Sequence, residues 1–199
     1  MTPSKTLRDL TGMGDAPTSV SRSALVLIDC QNTYREGVMQ LEGVEDALKE
    51  CQALLARYRD AGRPVIHIQH DAGPGSPYDT KAQIGAITEA VAPRAGEPVV
   101  VKAYPSAFEK TDLDELLKAR GVEELVLAGF MTHMCVNSTA RSAFNHGYKP
   151  TIVAAATATR ALPTAAGGVI PAQTLHEASL AGLRDLFAVV VERGEALKG

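Results

Sequence analysis

The sequence predicts a doubly wound, Rossmann-like α/β fold: a six-stranded, mainly parallel sheet with helices on both faces. Three observations carry this expectation. Short apolar runs alternate with segments of helical periodicity along the whole chain. The runs are apolar at almost every position, as strands buried between two helix layers must be. No linker-like tract divides the chain, and 45% of its 199 residues are apolar, enough to build one core.

Each element has its own signal. Residues 1–20, rich in Thr, Gly, Asp and Pro, read as an N-terminal arm, and 21–199 as a single domain. Ala24–Asp29 is the first strand. Val44, Ala47, Leu48, Cys51, Leu54, Leu55 and Tyr58, spaced by three and four, predict a helix that Gly62 and Pro64 stop. Pro64–His70 is the second strand, and the Pro- and Gly-rich Asp71–Tyr78 is a loop. Glu97–Lys102 gives the third strand. Leu113, Leu116 and Leu117 mark a short helix with Thr111 or Asp112 as cap. Glu124–Ala128 is the fourth strand, followed by a helix that ends near Gly147. Pro150–Ala155 is the fifth strand, Thr174–Arg184 a helix and Ala188–Val191 the sixth strand. Gly167-Gly168 is read as a turn, with a mobile active-site loop as the alternative.

Composition excludes several function classes. Lys plus Arg is 20, Asp plus Glu is 23 and the net charge is −3, with no basic block, so nucleic acid is not an expected partner. No apolar run is long enough to span a membrane, and no signal peptide is evident. Cys30, Cys51 and Cys135 form no disulfide pattern, which points to a reducing, cytoplasmic setting. The five histidines, His67, His70, His133, His146 and His176, show no H-x-H or H-x-x-x-H spacing, so no metal or other cofactor is expected.

The expected chemistry sits at strand ends, where parallel sheets bind ligands. Asp29 ends the first strand, Lys102 the third, and the fourth leads into Gly129-Phe130-Met131-Thr132-His133-Met134-Cys135-Val136. With Thr132 as N-cap, Cys135 falls in the first helical turn, where free N–H groups and the helix dipole favour a thiolate. An acid, an ammonium and a thiol in one crevice suit nucleophilic catalysis. Cys135 attacks, Asp29 moves the proton, and Lys102 orients Asp29 and favours the sulfur anion.

Three motifs extend this reading. Asp29-Cys30-Gln31-Asn32, Lys102-Ala103-Tyr104-Pro105-Ser106-Ala107-Phe108 and the Gly129–Val136 stretch, continued by Thr139-Ala140 and Ala143, occur in the order found in the isochorismatase-like cysteine hydrolases. The chain resembles that family from about Ala24 to its C-terminus. The resemblance implies a Cys135–Asp29–Lys102 triad and a cis peptide between Phe130 and Met131. It also implies an oxyanion hole from the Met131 and Cys135 N–H groups, a homodimer or larger oligomer, and a small-molecule substrate. The implied reaction is hydrolysis of an amide or related C–N bond through a thioester. Two alternatives stand beside it: vinyl-ether hydrolysis with Asp29 as general acid, and a non-catalytic module that binds a small molecule or a partner.

The pocket is less defined. Tyr34, Tyr104 and Phe108 are candidates to wall it, with core packing as the competing role. His70 is a substrate hydrogen-bonding candidate or a cap for the loop that follows. His133 either lines the pocket and tunes the thiolate or is a solvated first-turn residue. Arg160 is a possible partner for an anionic substrate. Cys30 and Cys51 are expected to be buried structural residues.

Overall fold

A computed structural model describes residues 4–199. Six strands form one sheet: β1 (Ser23–Ile28), β2 (Val65–His70), β3 (Val99–Lys102), β4 (Glu124–Phe130), β5 (Lys149–Ala158) and, at its far edge, a strand over Val189–Val191. Between the last two lies a small antiparallel ribbon of β6 (Leu162–Pro163) and β7 (Val169–Ile170), so the edge strand is β8. The sheet order is β3-β2-β1-β4-β5-β8, and every neighbouring pair is parallel. The chain winds outward from β1 in one direction and returns through β4 in the other. The switch point therefore lies between the carboxyl ends of β1 and β4, the place where such sheets open a crevice.

Helices cover both faces. One core layer joins Leu25 and Leu27 of β1 to α2 (Val44–Asp60), whose buried face is Val44, Ala47, Leu48, Cys51, Leu54, Leu55 and Tyr58. These are the seven residues whose spacing predicts the helix. Each buried Leu or Val there contributes about 1.5–3 kcal/mol. The other layer packs Val26, Ile28, Ile68 and Val100 against α3 (Leu113–Lys118), α4 (Asn137–Asn145) and α5 (Ala172–Arg184). Because the strands are buried on both faces, β1 and β4 have no exposed position.

The structure moves several expected boundaries. Strand β3 begins at Val99 rather than Glu97, because the Glu97 side chain turns inward to Arg59. Strand β5 runs on to Ala158, three residues past the apolar run, since Thr157 and Ala158 still pair with Gly129 and Phe130. Gly167-Gly168 is the turn of the β6–β7 ribbon, closed by Thr164 N–H to Gly168 O at 2.8 Å. The N-terminal segment carries a helix of its own, α1 (Leu7–Thr11), with a capping box between Thr6 and Asp9. Buried Arg8 ties it down, donating to Gly14 O and, at 3.0 Å, to Leu186 O.

Two features hold the switch point together. At Gly129 φ is +115°, and a Cβ there would lie 2.0 Å from Ile28 O. Only glycine lets β4 approach β1 this closely, one residue before Asp29. The second is a polar cluster joining α2, β2 and the turn before β3. Arg59 grips Glu97 through two bonds of 2.7 and 2.8 Å, and His67 Nε2 lies 3.0 Å from the same carboxylate.

Two outcomes follow for stability. Gly129→Ala should destabilise by more than the ordinary 1 kcal/mol or so of a point substitution and lower the thermal midpoint, as read by circular dichroism. The Arg59 bond is the main cause that draws the Glu97 carboxyl down from 4.5 to about 2. A depressed carboxyl stabilises the fold above its unfolded value, and that stabilisation disappears as pH falls from 4.5 toward 2. Glu97→Gln should therefore remove about 2–3 kcal/mol at pH 7 and flatten the stability profile across that acid window, as measured by urea titration.

Candidate active site

Asp29, Lys102 and Cys135 meet at the switch point. Lys102 Nζ lies 2.7 Å from Asp29 Oδ2 and 3.3 Å from Cys135 Sγ. Neither charged side chain has any solvent exposure, and Cys135 is only 6% exposed. The topology explains the convergence. Asp29 leaves β1, and Cys135 follows β4 next door. Lys102 starts two strands away on β3, on the same face as buried Val100, and its long stem crosses the end of β2 to reach them.

Asp29 has φ +50°, in the left-handed region that Asp and Asn tolerate better than other side chains. Its N–H donates to Ile68 O at 3.0 Å, and its carbonyl accepts from Gln31 N–H at 2.7 Å. The carboxylate sits beside the Cys135 thiol and the Lys102 ammonium, and among the described residues no backbone N–H or hydroxyl reaches it. Burial raises its pKa above the ordinary carboxylate value, and Lys102 opposes that rise.

The local structure around Cys135 corrects the sequence expectation. Thr132–Val136 forms a π-helical turn ahead of α4, and the residue at its start is Met131, with no side-chain cap. The Thr132 hydroxyl instead lies 3.0 Å from His176 Nδ1 on α5. The Phe130–Met131 peptide bond is cis. Burial opposes the expected thiolate: reinforced by the neighbouring Asp29 charge, it pushes the Cys135 thiol up to about 12 despite Lys102. It also raises the basicity of the Asp29 carboxylate.

The other expected site residues divide. His70 joins the cluster, with Nδ1 3.1 Å from Lys102 Nζ and its ring packed edge-on to Tyr78 at 4.9 Å. Burial and the Lys102 charge draw its pKa down to about 4. Tyr34 is buried between Tyr78 and Phe130, at ring separations of 5.8 and 5.6 Å, so it is core and site wall together. His133 bonds Thr159 through Nδ1, and burial and nearby Arg160 lower its pKa. Tyr104 and Phe108 do not line the crevice. Tyr104 is 42% exposed under the Lys110 ammonium. Phe108 stacks on His146 and Tyr148 at the far end of α4, because the chain after Lys102 runs back along the sheet. Cys30 and Cys51 are buried together in the α2 layer, away from Cys135.

Sequence reasoning passed over the residues that brace this site. Gln31 is fully buried and clamps the end of β2: its amide donates to His70 O (2.9 Å) and Gly85 O (2.7 Å) and accepts from His70 N–H (2.9 Å). Thr139 accepts from Ala107 N–H at 3.0 Å, which fastens the segment after Lys102 to the helix after Cys135. Both residues stand inside the three motifs or their continuation, and that place was the available signal. Tyr78 and His176 carried no such mark. Among the described residues, no group of three or more His, Cys, Asp or Glu side chains is placed to hold a metal ion, and no helix is long and apolar enough to cross a membrane.

Comparison with known proteins identifies the fold and its family. Residues 23–195 match the family model described as the isochorismatase domain. The chain belongs to the isochorismatase family of hydrolases. This hydrolase is 34% identical to the secreted isochorismatase effector Isc1 of Verticillium dahliae, over 92% of this chain and 95% of that one. It is 32% identical to a maleamate amidohydrolase of Pseudomonas putida, over 89% of this chain and 86% of the relative. A crystal structure of an isochorismatase from Pseudomonas putida KT2440 superposes on the hydrolase with a TM-score of 0.94. The two share 36% identity, over 98% of this chain and all of that one.

The bracing contacts carry their own test. Gln31→Leu keeps the bulk near that of the native side chain but removes the clamp and leaves the His70 N–H without its acceptor. It should lower stability by about 1–3 kcal/mol in chemical denaturation.

Proposed function

We propose that this hydrolase is a cofactor-free cysteine amidohydrolase acting on a small amide that carries a carboxylate. The observation that supports the chemistry best is the buried Asp29–Lys102 pair in contact with the Cys135 sulfur. With substrate bound, Asp29 takes the thiol proton as sulfur attacks the carbonyl carbon. Lys102 stays positive beside both, so the negative charge passing from carboxylate to sulfur remains compensated. The Met131 and Cys135 N–H groups receive the carbonyl oxygen as it becomes an anion. Asp29 returns the proton to the departing nitrogen, and ammonia or an amine leaves a thioester on Cys135. A water that gives its proton to Asp29 then attacks the thioester, releasing the acid and restoring the thiol. The sum is amide plus water to carboxylic acid plus amine.

The substrate class rests on Arg160. It follows β5 at the same sheet edge, and its charge acts on both Tyr78 and His133. Its Nε is buried, with no hydrogen-bond partner among the described residues. A guanidinium with an unused buried donor suits a carboxylate, and one relative is a maleamate amidohydrolase. The three cysteines, all free and buried, fit a reducing compartment.

A panel of short ω-amides of dicarboxylic acids and matched neutral amides, read by ammonia release, tests the reading. Cys135→Ala and Cys135→Ser should abolish turnover with the fold intact, and Asp29→Asn should lower kcat about 10²–10⁴-fold. Arg160→Leu should raise KM for the carboxylate-bearing amides about 10–100-fold, a loss of about 1.4–2.8 kcal/mol, and leave neutral amides unchanged. Vinyl-ether hydrolysis by Asp29 alone, which the names of several relatives bring forward, predicts instead that activity survives the loss of Cys135.

A further inference from the structure

We infer that His70 is a positioning residue for Lys102: its unprotonated Nδ1 is a neutral acceptor that fixes the buried lysine head group against Asp29 and Cys135. This rests on the cysteine-hydrolase reading and extends it to a residue that touches neither the sulfur nor the carboxylate.

The argument is one of valence. An ammonium carries three N–H donors and no acceptor. Lys102 Nζ has no solvent exposure, so each donor needs a partner within the protein. Two hydrogen-bond acceptors and one ion-pair partner surround it: His70 Nδ1 at 3.1 Å, Cys135 Sγ at 3.3 Å and, as the ion-pair partner, Asp29 Oδ2 at 2.7 Å. Because the ammonium can only donate, Nδ1 must be the bare nitrogen, and the imidazole proton sits on Nε2. Lysine charge and histidine tautomer therefore fix each other.

His70 is held for this task. Gln31 grips its N–H and its carbonyl, both at 2.9 Å, and Tyr78 packs edge-on against its ring. Strand register sets it directly beside Lys102. The charged and titratable groups around it are Lys102 on β3 and Asp71 and Tyr78 in the following loop, with Asp29 and Cys135 beyond the lysine. A protonated imidazole would set a cation against a cation, and burial together with Lys102 disfavours that form.

Removing the acceptor has a defined consequence. An unsatisfied N–H in this dry cluster lets the Lys102 head group turn away from its remaining partners. Asp29 then loses its orienting contact, and the thiol loses its nearby compensating charge.

Two substitutions separate this role from packing and from substrate contact. His70→Asn retains an oxygen acceptor near the Nδ1 position but loses ring contact with Tyr78; His70→Leu retains apolar bulk but no acceptor. Two readouts are taken across pH 6–10, which is about the range of common buffers around the thiol's ordinary value: steady-state hydrolysis of the amide panel, and alkylation of Cys135 by iodoacetamide followed by peptide mass spectrometry. The inference predicts that His70→Leu lowers kcat by up to about 10²-fold at nearly constant KM, slows alkylation across the range and displaces the rise of the alkylation profile to higher pH. His70→Asn should restore most of each. Equal alkylation profiles in all three proteins, or rescue by Leu rather than Asn, overturn it, and a rise in KM alone assigns His70 to substrate binding. The alkylation readout needs no substrate. Failure of wild-type hydrolysis with the Leu/Asn contrast intact therefore contradicts the proposed function and not the role of His70.

Discussion

An ammonium and a carboxylate, both sealed from solvent, stand 2.7 Å apart where β1 and β4 diverge. Burying two such ions carries a desolvation penalty of several kcal/mol each. Their mutual attraction offsets it only if the geometry is close and the remaining donors are used. That requirement reaches far into the fold. Gly129 lets β4 approach β1. Gln31 holds the end of β2, and Thr139 ties the chain beyond Lys102 to the helix beyond Cys135. Loosening any of these would leave a buried charge without its full set of partners, so the packing of the sheet edge and the chemistry of the crevice are one problem.

The same burial sets the protonation states. A solvated thiol at a helix start is activated by losing its proton in advance. This site works the other way. The low-dielectric surroundings favour a protonated sulfur and a more basic Asp29, and in the proposed mechanism that proton passes to Asp29 when the carbonyl arrives. A neutral resting thiol is also less prone to oxidation and stray alkylation, since the thiolate is the reactive form. In the proposed mechanism the lysine does not need to create a thiolate at rest; it compensates the negative charge as that charge passes from oxygen to sulfur.

Much of this was legible in the sequence, and the reasons are specific. Apolar runs and three-four spacing found all six strands and the long helix, because burial on both faces leaves little freedom in residue type. Asp29, Lys102 and Cys135 were legible because a parallel sheet brings strand ends to one edge whatever the loops do. The failures came where direction depends on chain path. Phe108 and Tyr104 follow Lys102 closely in sequence, yet the chain turns back at once and carries Phe108 to the opposite end of α4. The thiolate expectation runs against the burial of the sulfur, because helix-dipole reasoning presumes a regular, accessible first turn. The π-helical turn over Thr132–Val136 and the burial of the sulfur remove both conditions. Tyr78 and His176 act through side chains from distant segments, which no local pattern can reveal.

The central claim is that the sulfur of Cys135 carries the acyl group between two halves of the reaction. Rapid acid quench of the working enzyme, followed by intact and peptide mass spectrometry, tests it directly. The account predicts a hydroxylamine-labile adduct with the mass of the substrate's acyl portion, confined to the peptide bearing Cys135. Turnover that proceeds with that peptide unmodified throughout, and equally well when the residue is alanine, would contradict it.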